Sequence, residues 1–348
     1  METRRFGGTG LCLSLVGIGS IPFMRVGEDD VSRIILKGLD CGVNFIETAR
    51  GYRTSEAKIG KAIKGKRDKF ILITKGHAKM PDAGVSPLDE SLKALGVDYV
   101  DVYQVHGLRP GQLEKIRGAG YLDYLLKAKE QGRVRTLGVT SHQPEALEEA
   151  VEADIFTSIQ APINFVEYDR YRTVLAQALK KDIGILAMKP LGGGVFPARE
   201  SLRFLKFTPV SAITVGVENE AEVAENVEAV SDERPLSEKE KNRLEKELKK
   251  WGDKFCRKCG YCTGCPEGIP TSDLMLTEIL YNRDGAEAVI GWGYIEKLEM
   301  VEKCAECGEC VKKCPYSLRI PRTIREYRDR YLPLLKKLKQ SSDLVDKG

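Results

Sequence analysis

The sequence predicts an α/β protein, in which a (β/α)8 TIM barrel is followed by a small C-terminal α-helical domain. Short apolar segments alternate with amphipathic helical patterns up to about residue 235. Eight β-then-α units in roughly 230 residues are typical of such a barrel. Eight of the ten cysteines lie beyond that point, in two short runs. This change of pattern predicts two domains of different construction.

The eight strand candidates are short and apolar, and turns or helical patterns follow them. They cover residues 13–19, 43–48, 70–75, 99–106, 135–140, 157–162, 183–189 and 211–216. Amphipathic patterns cover residues 29–42, 55–65 and 144–153. Residues 4–15 predict a hairpin around Gly7 and Gly8 that closes the floor of the barrel. A doubly wound sheet is the alternative, but it would place G-x-G-x-x-G after the first strand, where the sequence is "GIGSIP".

Composition and charge exclude some classes of protein. The net charge is only +4, which gives no argument for nucleic acid or a membrane surface as a partner. No apolar segment approaches the ~18 residues that span a bilayer, and the charged, glycine-rich N-terminus does not resemble a signal peptide. We therefore expect a cytoplasmic protein without nucleic-acid or membrane partners.

The cysteine runs predict ligation of a metal centre, because clustered thiols in the cytosol stay reduced. The first run has the spacing C-x2-C-x2-C-x2-C-P and consists of Cys256, Cys259, Cys262, Cys265 and Pro266. The second has the spacing C-x2-C-x2-C-x3-C-P and consists of Cys304, Cys307, Cys310, Cys314 and Pro315. The second spacing is that of bacterial ferredoxins, which bind [4Fe-4S] clusters. Structural zinc sites are the alternative, although zinc ribbons separate their cysteine pairs by ~15–20 residues.

The resemblance to two-cluster ferredoxins implies a crossed set of ligands, since the fourth cysteine of each run there binds the other cluster. One cluster would take Cys256, Cys259, Cys262 and Cys314, and the other would take Cys304, Cys307, Cys310 and Cys265. A single cluster with spare thiols is the second possibility. Cys12 and Cys41 have no partners in the sequence and are predicted to be buried apolar fillers.

Domain boundaries follow from these patterns. Residues 231–240 are polar and contain a proline, which indicates a linker, and Ser237 to Glu240 form a capping-box pattern. We expect the helix that begins there to end near Lys250. The barrel would occupy residues 1–235, and residues 236–348 would form the linker helix and a bacterial-ferredoxin-like iron–sulfur domain. The two runs, 48 residues apart, look like a diverged repeat with helices at 273–282 and 285–300 between them.

Four polar residues lie at or just beyond the ends of three consecutive strands. Glu47 ends the second strand, Tyr52 follows it, Lys75 ends the third and His106 ends the fourth. Active sites of barrels lie where the carboxyl ends of the strands meet. We expect the carboxylate to hold the lysine and the ammonium to lower the pKa of the phenol. The phenol could then protonate a developing alkoxide while the imidazole orients the carbonyl.

Residues 47–56, "ETARGYRTSE", with the downstream lysine and histidine, resemble the aldo-keto reductase family over about residues 3–230. The family pattern is D-T-A-x-x-Y-G-x-S-E, so Glu47 replaces an aspartate and Arg53 replaces a glycine. The resemblance implies that Tyr52 is the general acid, that Lys75 and Glu47 tune it, and that His106 binds the carbonyl. With the cysteine runs, the chain is similar to the ferredoxin-containing subgroup of that family.

The resemblance also implies contacts with NAD(P)H. Ser141, His142 and Gln160 would hold the nicotinamide carboxamide, Met188 and Lys189 would lie beside the ring, and Gly192 would approach the pyrophosphate. On the adenosine side the implied contacts are Glu222, Glu225 and Asn226. Family members grip the 2′-phosphate of NADPH with a basic pair, where this chain has Asn219 and Glu222. We therefore expect NADH to bind at least as well as NADPH.

The sequence thus predicts an NAD(P)H-dependent oxidoreductase that reduces a small carbonyl compound, or oxidises the alcohol, and carries two [4Fe-4S] clusters. The alternative is an electron-transfer or redox-sensing protein on a barrel scaffold with little or no carbonyl reductase activity. The clusters would either stabilise their domain or pass electrons to a one-electron carrier protein. Residues 319–339 are basic and would either dock such a carrier or form a solvated helix face.

Overall fold

The computed structural model describes residues 1–80 and 85–345, with only the backbone described for Asp253 and for residues 342–345. The chain forms two compact units. The first contains Met1–Gly192 and Pro197–Leu244, and the second contains Gly193–Phe196 and the chain from Glu245 onward. No helix among the described residues is both long enough and apolar enough to cross a membrane.

The first unit is a closed barrel of eight parallel strands, which confirms the predicted fold and rules out the doubly wound sheet. Its strands are β3 (Val16–Gly19), β4 (Phe45–Glu47), β5 (Ile71–Gly76), β6 (Val100–Val105), β7 (Val134–Thr140), β8 (Ser158–Pro162), β9 (Gly184–Met188) and β10 (Ala212–Gly216). Each strand pairs with its neighbours in sequence, and β10 closes the ring against β3. Apolar residues at alternate positions fill the interior, as the pleat requires.

A hairpin precedes the barrel, as predicted. Its strands β1 (Thr3–Arg5) and β2 (Cys12–Ser14) pair in antiparallel fashion. Gly7 adopts a left-handed φ of 53°, and a Cβ there would lie 2.2 Å from the amide nitrogen of Gly184. The side chains of Phe6 and Leu13 are fully buried in one apolar cluster with interior barrel residues. The hairpin therefore closes the amino-terminal end of the barrel.

Helices surround the barrel between successive strands. They are α1 (Glu28–Asp40), α2 (Ser55–Ala62), α3 (Pro87–Leu95), α4 (Gln112–Gly118), α5 (Tyr121–Glu130), α6 (Pro144–Glu152), α7 (Tyr168–Lys180), α8 (Ala198–Lys206) and α9 (Glu220–Ser231). The main core lies between these helices and the outer face of the strands. This arrangement leaves the carboxyl ends of the strands to carry polar side chains.

The prediction that Cys12 and Cys41 are buried fillers is wrong. Cys12 is exposed, and Cys41 is only half-buried. Cys12 is the exposed first residue of β2, and the two residues that follow it in the strand are buried. Cys41 follows the last residue of α1, where the helix has already left the core.

The linker helix α10 (Glu238–Trp251) begins at the predicted capping box. The backbone nitrogen of Ser237 donates to Glu240 Oε2 at 2.8 Å, and the nitrogen of Glu240 donates back to Ser237 Oγ at 3.4 Å. The helix ends one residue beyond the expected Lys250. Its first half belongs to the first unit and its second half to the second unit.

The second unit is helical and has its own apolar core. Its further helices are α11 (Thr271–Leu274), α12 (Thr277–Gly291), α13 (Tyr294–Glu299), α14 (Glu309–Lys312) and α15 (Ile320–Val345). Helix α12 is interrupted at Gly285, which has φ 82° and ψ 169°. The break falls where the predicted second helix begins, because only glycine adopts that conformation without strain.

Candidate functional site

The carboxyl ends of three neighbouring strands position the four candidate catalytic residues. Glu47 is the last residue of β4, Lys75 lies next to the end of β5, and His106 directly follows β6. Tyr52 lies in the loop between β4 and α2. Parallel pairing aligns these strand ends, so the side chains meet at one mouth of the barrel.

Glu47 and Lys75 form a buried ion pair in the mouth of the barrel. Only 4% of Glu47 and 1% of Lys75 is exposed, and the Lys75 ammonium contacts Glu47 Oε1 directly. The ammonium also donates to the carbonyl oxygen of Thr48 at 2.9 Å. Two further donors approach the carboxylate at 3.3 Å, namely Gln160 Nε2 and Thr214 Oγ1. A buried charge pair needs such additional partners, because desolvation otherwise outweighs the attraction between the charges.

The longer acid at position 47 therefore keeps its contact with the lysine. Gly19 lies opposite Glu47 in the β3–β4 register. A Cβ at Gly19 would lie 2.9 Å from Thr214 Oγ1 and 3.0 Å from the backbone of Val215. Because Gly19 has no side chain, Thr214 can reach the carboxylate of Glu47. The local packing therefore accommodates the one methylene by which this glutamate is longer than the family's aspartate.

Tyr52 lies beside this pair in a tight turn. Its backbone nitrogen donates to the carbonyl of Ala49, and its carbonyl accepts from the nitrogen of Ser55, both at 2.9 Å. Lys75 Nζ lies 4.8 Å from the centroid of the Tyr52 ring. The next residue, Arg53, has a left-handed φ of 47°. That conformation favours glycine, which explains the glycine of the family pattern at this position.

Desolvation shifts the pKa values of Tyr52 and Lys75. Burial raises the pKa of Tyr52 to about 12 and lowers the pKa of Lys75 to about 7. The expectation that the ammonium lowers the pKa of the phenol is wrong in this structure. Removing the phenolate from water disfavours its charged form, which raises the pKa of the phenol.

His106 lies between two aromatic neighbours. The Tyr52 ring meets it edge-on, with centroids 6.3 Å apart and planes at 90°. His77 stacks on it with a centroid distance of 4.8 Å and an interplanar angle of 6°. Sequence reasoning did not assign His77. The available signal was that all three histidines, His77, His106 and His142, follow consecutive barrel strands.

Three residues assigned to the carboxamide end lie on β8 or just after β7. Gln160 is 1% exposed, and its buried Oε1 atom has no hydrogen-bond partner within the part of the chain that the structure describes. The amide orientation follows from its contact with Glu47, since only the NH2 group can face a carboxylate. Ser141 is buried, donates to the carbonyl of Leu108 at 2.7 Å and accepts from the nitrogen of Gln143 at 3.0 Å. His142 is half-buried beside it.

The end of β9 and the loop after it carry Met188, Lys189 and Gly192. Met188 ends the strand, and Lys189 has a left-handed φ of 54°. The carbonyl of Lys189 accepts from Asn164 Nδ2 at 3.2 Å and from the nitrogen of Gly192 at 3.0 Å. These contacts fix a tight turn at the mouth of the barrel.

The residues assigned to adenosine lie in α9. Asn219 caps this helix, because its Oδ1 atom accepts from the Glu222 nitrogen at 3.0 Å. Glu222 lies in the first turn, and its Oε2 atom accepts from the Glu218 nitrogen at 2.8 Å. Glu225 is exposed, whereas Asn226 is buried. Arg25, which the sequence did not single out, pairs with the carboxylate of Glu218. This end of the barrel therefore contains a cation as well as acids.

The second unit gathers the eight clustered thiols in two places. One chamber is lined by Cys256, Cys259, Cys262 and Cys314. The other is lined by Cys304, Cys307, Cys310 and Cys265, with Cys262 at its edge. Each chamber thus combines three cysteines of one run with the fourth cysteine of the other. Among the described residues, no group of three or more His, Cys, Asp or Glu side chains is arranged to hold a single metal ion.

The backbone of the two runs repeats. Two residues after the first cysteine, Lys258 and Glu306 both have a left-handed φ, of 57° and 52°. Gly260 and Gly308 follow with 78° and 76°. These turns direct successive cysteines to one side, as ligation of one cluster requires. The shared turns support the interpretation of the two runs as a diverged repeat.

The thiols lie close enough to influence one another. Burial raises the pKa of Cys262, and the thiols of Cys259 and Cys314 raise it further. Burial also raises the pKa of Cys310 to about 11, with contributions from the other thiols of its chamber. Deprotonating several adjacent thiols is unfavourable unless a positive centre compensates their charge. The donor set therefore fits iron–sulfur ligation, in which thiolates bind cationic iron.

Comparisons with known proteins agree with both parts of the chain. Residues 15–206 match the family model "Aldo/keto reductase family", and residues 255–318 match the model "4Fe-4S dicluster domain". L-galactose dehydrogenase of Arabidopsis thaliana is 26% identical over 67% of this chain and 89% of its own length. Aldo-keto reductase YhdN of Bacillus subtilis is 31% identical over 57% of this chain and 65% of its own length.

Solved structures share the barrel. PA4992 of Pseudomonas aeruginosa has a TM-score of 0.58 at 25% identity, covering 66% of this chain and 94% of its own. Aldo-keto reductase AKR11C1 of Bacillus halodurans has a TM-score of 0.60 at 22% identity, covering 71% of this chain and 96% of its own. The family model covers more than half of the chain, so this protein belongs to the aldo/keto reductase family of oxidoreductases and carries an iron–sulfur domain of the 4Fe-4S dicluster type.

Proposed function

We propose that this protein is an NAD(P)H-dependent carbonyl reductase that uses Tyr52 as general acid and carries two [4Fe-4S] clusters. The observation that carries the proposal is the buried Glu47–Lys75 ion pair beside Tyr52 at the mouth of the barrel. Burying a charge pair this deeply carries a desolvation penalty, so a purely stabilising role explains the pair poorly. Strongly shifted pKa values in a cleft are typical of catalytic groups.

Each of the four residues has a role in this proposal. Tyr52 gives its proton to the substrate oxygen as negative charge develops there, and its pKa of about 12 keeps the phenol protonated at neutral pH. Lys75 places positive charge beside the phenol, and Glu47 fixes that ammonium. His106 donates a hydrogen bond to the carbonyl and orients it. When bound, the reduced nicotinamide supplies the hydride that adds to the carbonyl carbon.

The residues around the mouth suit a nicotinamide. The buried Oε1 of Gln160, which no described residue contacts as a hydrogen-bond donor, would accept from the carboxamide NH2 group. Ser141 and His142 lie on the next strand end, and Met188 and Lys189 would flank the ring. Gly192 would let the backbone approach the pyrophosphate.

We propose that NADH binds at least as tightly as NADPH. Glu222 would repel a 2′-phosphate by about 1 kcal/mol at a solvated site, and Glu225 and Asn226 would contact the adenosine. Dissociation constants measured by fluorescence quenching test this, with Glu222→Gln as the matched variant. If NADPH binds more tightly and Arg25→Ala removes that preference, Arg25 holds the phosphate and the assignment of Glu222 is wrong.

The proposed ligand sets are those of the two chambers. Cys256, Cys259, Cys262 and Cys314 would hold one [4Fe-4S] cluster, and Cys304, Cys307, Cys310 and Cys265 would hold the other. A zinc pair is disfavoured by the spacing and by the family match. Clusters of this kind either pass single electrons or stabilise a small domain.

We favour stabilisation over electron transfer as the role of the clusters. The basic helix α15 would be the docking surface for an acidic one-electron carrier. Several of its arginines are already paired, including Arg322 with Glu326, Arg330 with Glu278 and Arg328 with Asp329. Because these acids neutralise the arginines, a solvated helix face explains the basic residues better. The proposed substrate is a small carbonyl compound or the corresponding alcohol.

Steady-state assays with a panel of small aldehydes and ketones, with NADH and NADPH in turn, test the proposed function. Cofactor-dependent reduction of at least one compound is the expected result. If the panel is inert while artificial one-electron donors reduce the clusters reversibly, the protein is an electron-transfer or redox-sensing protein on a barrel scaffold, and the reductase proposal fails.

A further inference from the structure

His77 lies in the barrel mouth but is not one of the four proposed catalytic residues. It directly follows the last residue of β5, and its side chain is exposed. Its imidazole lies face to face with that of His106, at a centroid distance of 4.8 Å and an angle of 6°. Nearly parallel rings at this distance are in stacking contact.

The carbonyl of Gly76 and the ring of His77 both contact the backbone of His106. The nitrogen of His106 donates to the carbonyl of Gly76 at 2.9 Å, which extends the β5–β6 pairing by one step. His77 Nδ1 lies 3.2 Å from the carbonyl oxygen of His106. A carbonyl only accepts, so this contact requires the proton on Nδ1 of His77.

The neighbours of His106 leave its ring little choice of orientation. One face lies against His77, and the Tyr52 ring meets it edge-on at a centroid distance of 6.3 Å. Histidine χ2 is broadly distributed when nothing constrains it. Without the stacked ring, the His106 imidazole could turn away from the direction in which a carbonyl beside Tyr52 would lie.

We propose that His77 is a positioning residue for carbonyl reduction, because its stacked ring sets the orientation of the His106 imidazole. The inference rests on the proposed reductase function. Small displacements of a group that orients substrate reduce rates by up to about a hundredfold. His77 does not touch the reacting atoms, so its effect should fall on turnover rather than on nucleotide binding.

Kinetics of His77→Ala, His77→Phe and Met80→Ala test this role with an aldehyde that the parent protein reduces. We expect His77→Ala to lower kcat about tenfold with little change in nucleotide affinity. His77→Phe keeps a flat ring over His106 and should restore kcat to within about threefold of the parent. Met80→Ala removes another exposed side chain of the same loop and should change nothing. An unchanged kcat in His77→Ala, or a phenylalanine variant as slow as the alanine variant, would overturn the proposal.

Histidine NMR provides a readout that does not depend on activity. The chain has three histidines, so protein labelled only at histidine gives three sets of ring signals. We expect the ring-current shift of the His106 signals to persist in His77→Phe and to disappear in His77→Ala. His77 should show its proton on Nδ1. Identical His106 signals in all three proteins would exclude the stack.

The two proposals fail in different ways. A parent protein that reduces none of the panel overturns the reductase function and this role with it, whatever the spectra show. An active parent whose His77→Ala variant keeps its kcat overturns only the role of His77.

Discussion

The barrel mouth and the cysteine chambers differ in how their buried charges are balanced. In the barrel, the negative Glu47 and the positive Lys75 neutralise each other within the protein, and Gln160 and Thr214 donate hydrogen bonds to the carboxylate. In the second unit, the converging groups are all thiols, which would all carry negative charge when deprotonated. Burial raises the pKa of Cys262 and of Cys310. The charges in the barrel mouth are balanced by side chains alone, whereas the thiolates of the cysteine chambers would need a cationic centre to balance them.

This difference predicts which unit depends on a bound cofactor for its stability. A preformed ion pair costs no rearrangement when substrate arrives, which favours catalysis. Converging thiols repel once deprotonated, so the energy of metal binding contributes to folding of their unit. Substitutions in the barrel should therefore change rates, and substitutions among the cysteines should change metal content and stability.

The largest expected effect is that of Tyr52→Phe. Removal of the phenolic proton should lower carbonyl reduction by about a thousandfold, since general acids contribute ~10²–10⁴-fold. Nucleotide affinity and iron content should stay at the parent level. A variant that reduces aldehydes as fast as the parent would show that the acid is another residue.

The next effect is a loss of half of the iron. We expect about eight iron and eight sulfide per chain after anaerobic purification, from two cubanes. Cys314→Ser should remove the cluster of the first run, and Cys265→Ser that of the second, each leaving about four iron. Cys12→Ser, at an exposed position outside both chambers, should keep all of the iron.

Analysis for iron, sulfide and zinc checks this prediction. Stoichiometric zinc without iron in the anaerobic parent would contradict cluster binding. If Cys314→Ser instead disrupted the cluster of its own run, the ligation would be local rather than crossed.

A smaller effect should follow from pH. Burial lowers the pKa of Lys75 to about 7, so its ammonium form is lost as pH rises through that value. Carbonyl reduction should then decline, approaching about tenfold per pH unit. Tyr52, with a pKa of about 12, stays protonated over the same range. The profile is measured as kcat/KM between pH 6 and about 9, and Lys75→Met should be slow and nearly independent of pH. A flat profile in the parent would mean that the ammonium charge is not required.

The smallest effect concerns the turn after Tyr52. Arg53 has a left-handed φ of 47°, which costs a residue other than glycine about 1–2 kcal/mol. Arg53→Gly should relieve this strain but lose roughly 0.5–1 kcal/mol of the gain, because glycine loses more backbone entropy on folding. The net result should be a folded protein more stable by roughly 0.5–1 kcal/mol. The denaturation midpoint measures this gain. A variant less stable than the parent would show that contacts of the arginine side chain outweigh the strain.

The sequence was informative where a pattern repeats or a motif is local. Strand periodicity predicted all eight barrel strands, and the resemblance of the cysteine runs to two-cluster ferredoxins implied a crossed grouping like that of the chambers. Properties set by distant neighbours were not predictable. The raised pKa of Tyr52 depends on desolvation by the folded barrel, and the stacking of His77 on His106 depends on the pairing of two strands. Cys12 was misassigned because composition does not reveal which way a strand faces.

The segment Gly193–Phe196 belongs to the second unit, although barrel residues precede and follow it in the chain. The ring of Phe196, only 4% exposed, meets that of Phe255 edge-on at a centroid distance of 5.5 Å. Phe255 directly precedes Cys256, and Gly192 directly precedes the segment. The second unit therefore consists of two separate segments of the chain, so a single cut cannot separate it from the barrel. A chain ending at residue 235 would keep Phe196 but lose its aromatic partner, so truncation at that point would leave an apolar ring without its contact.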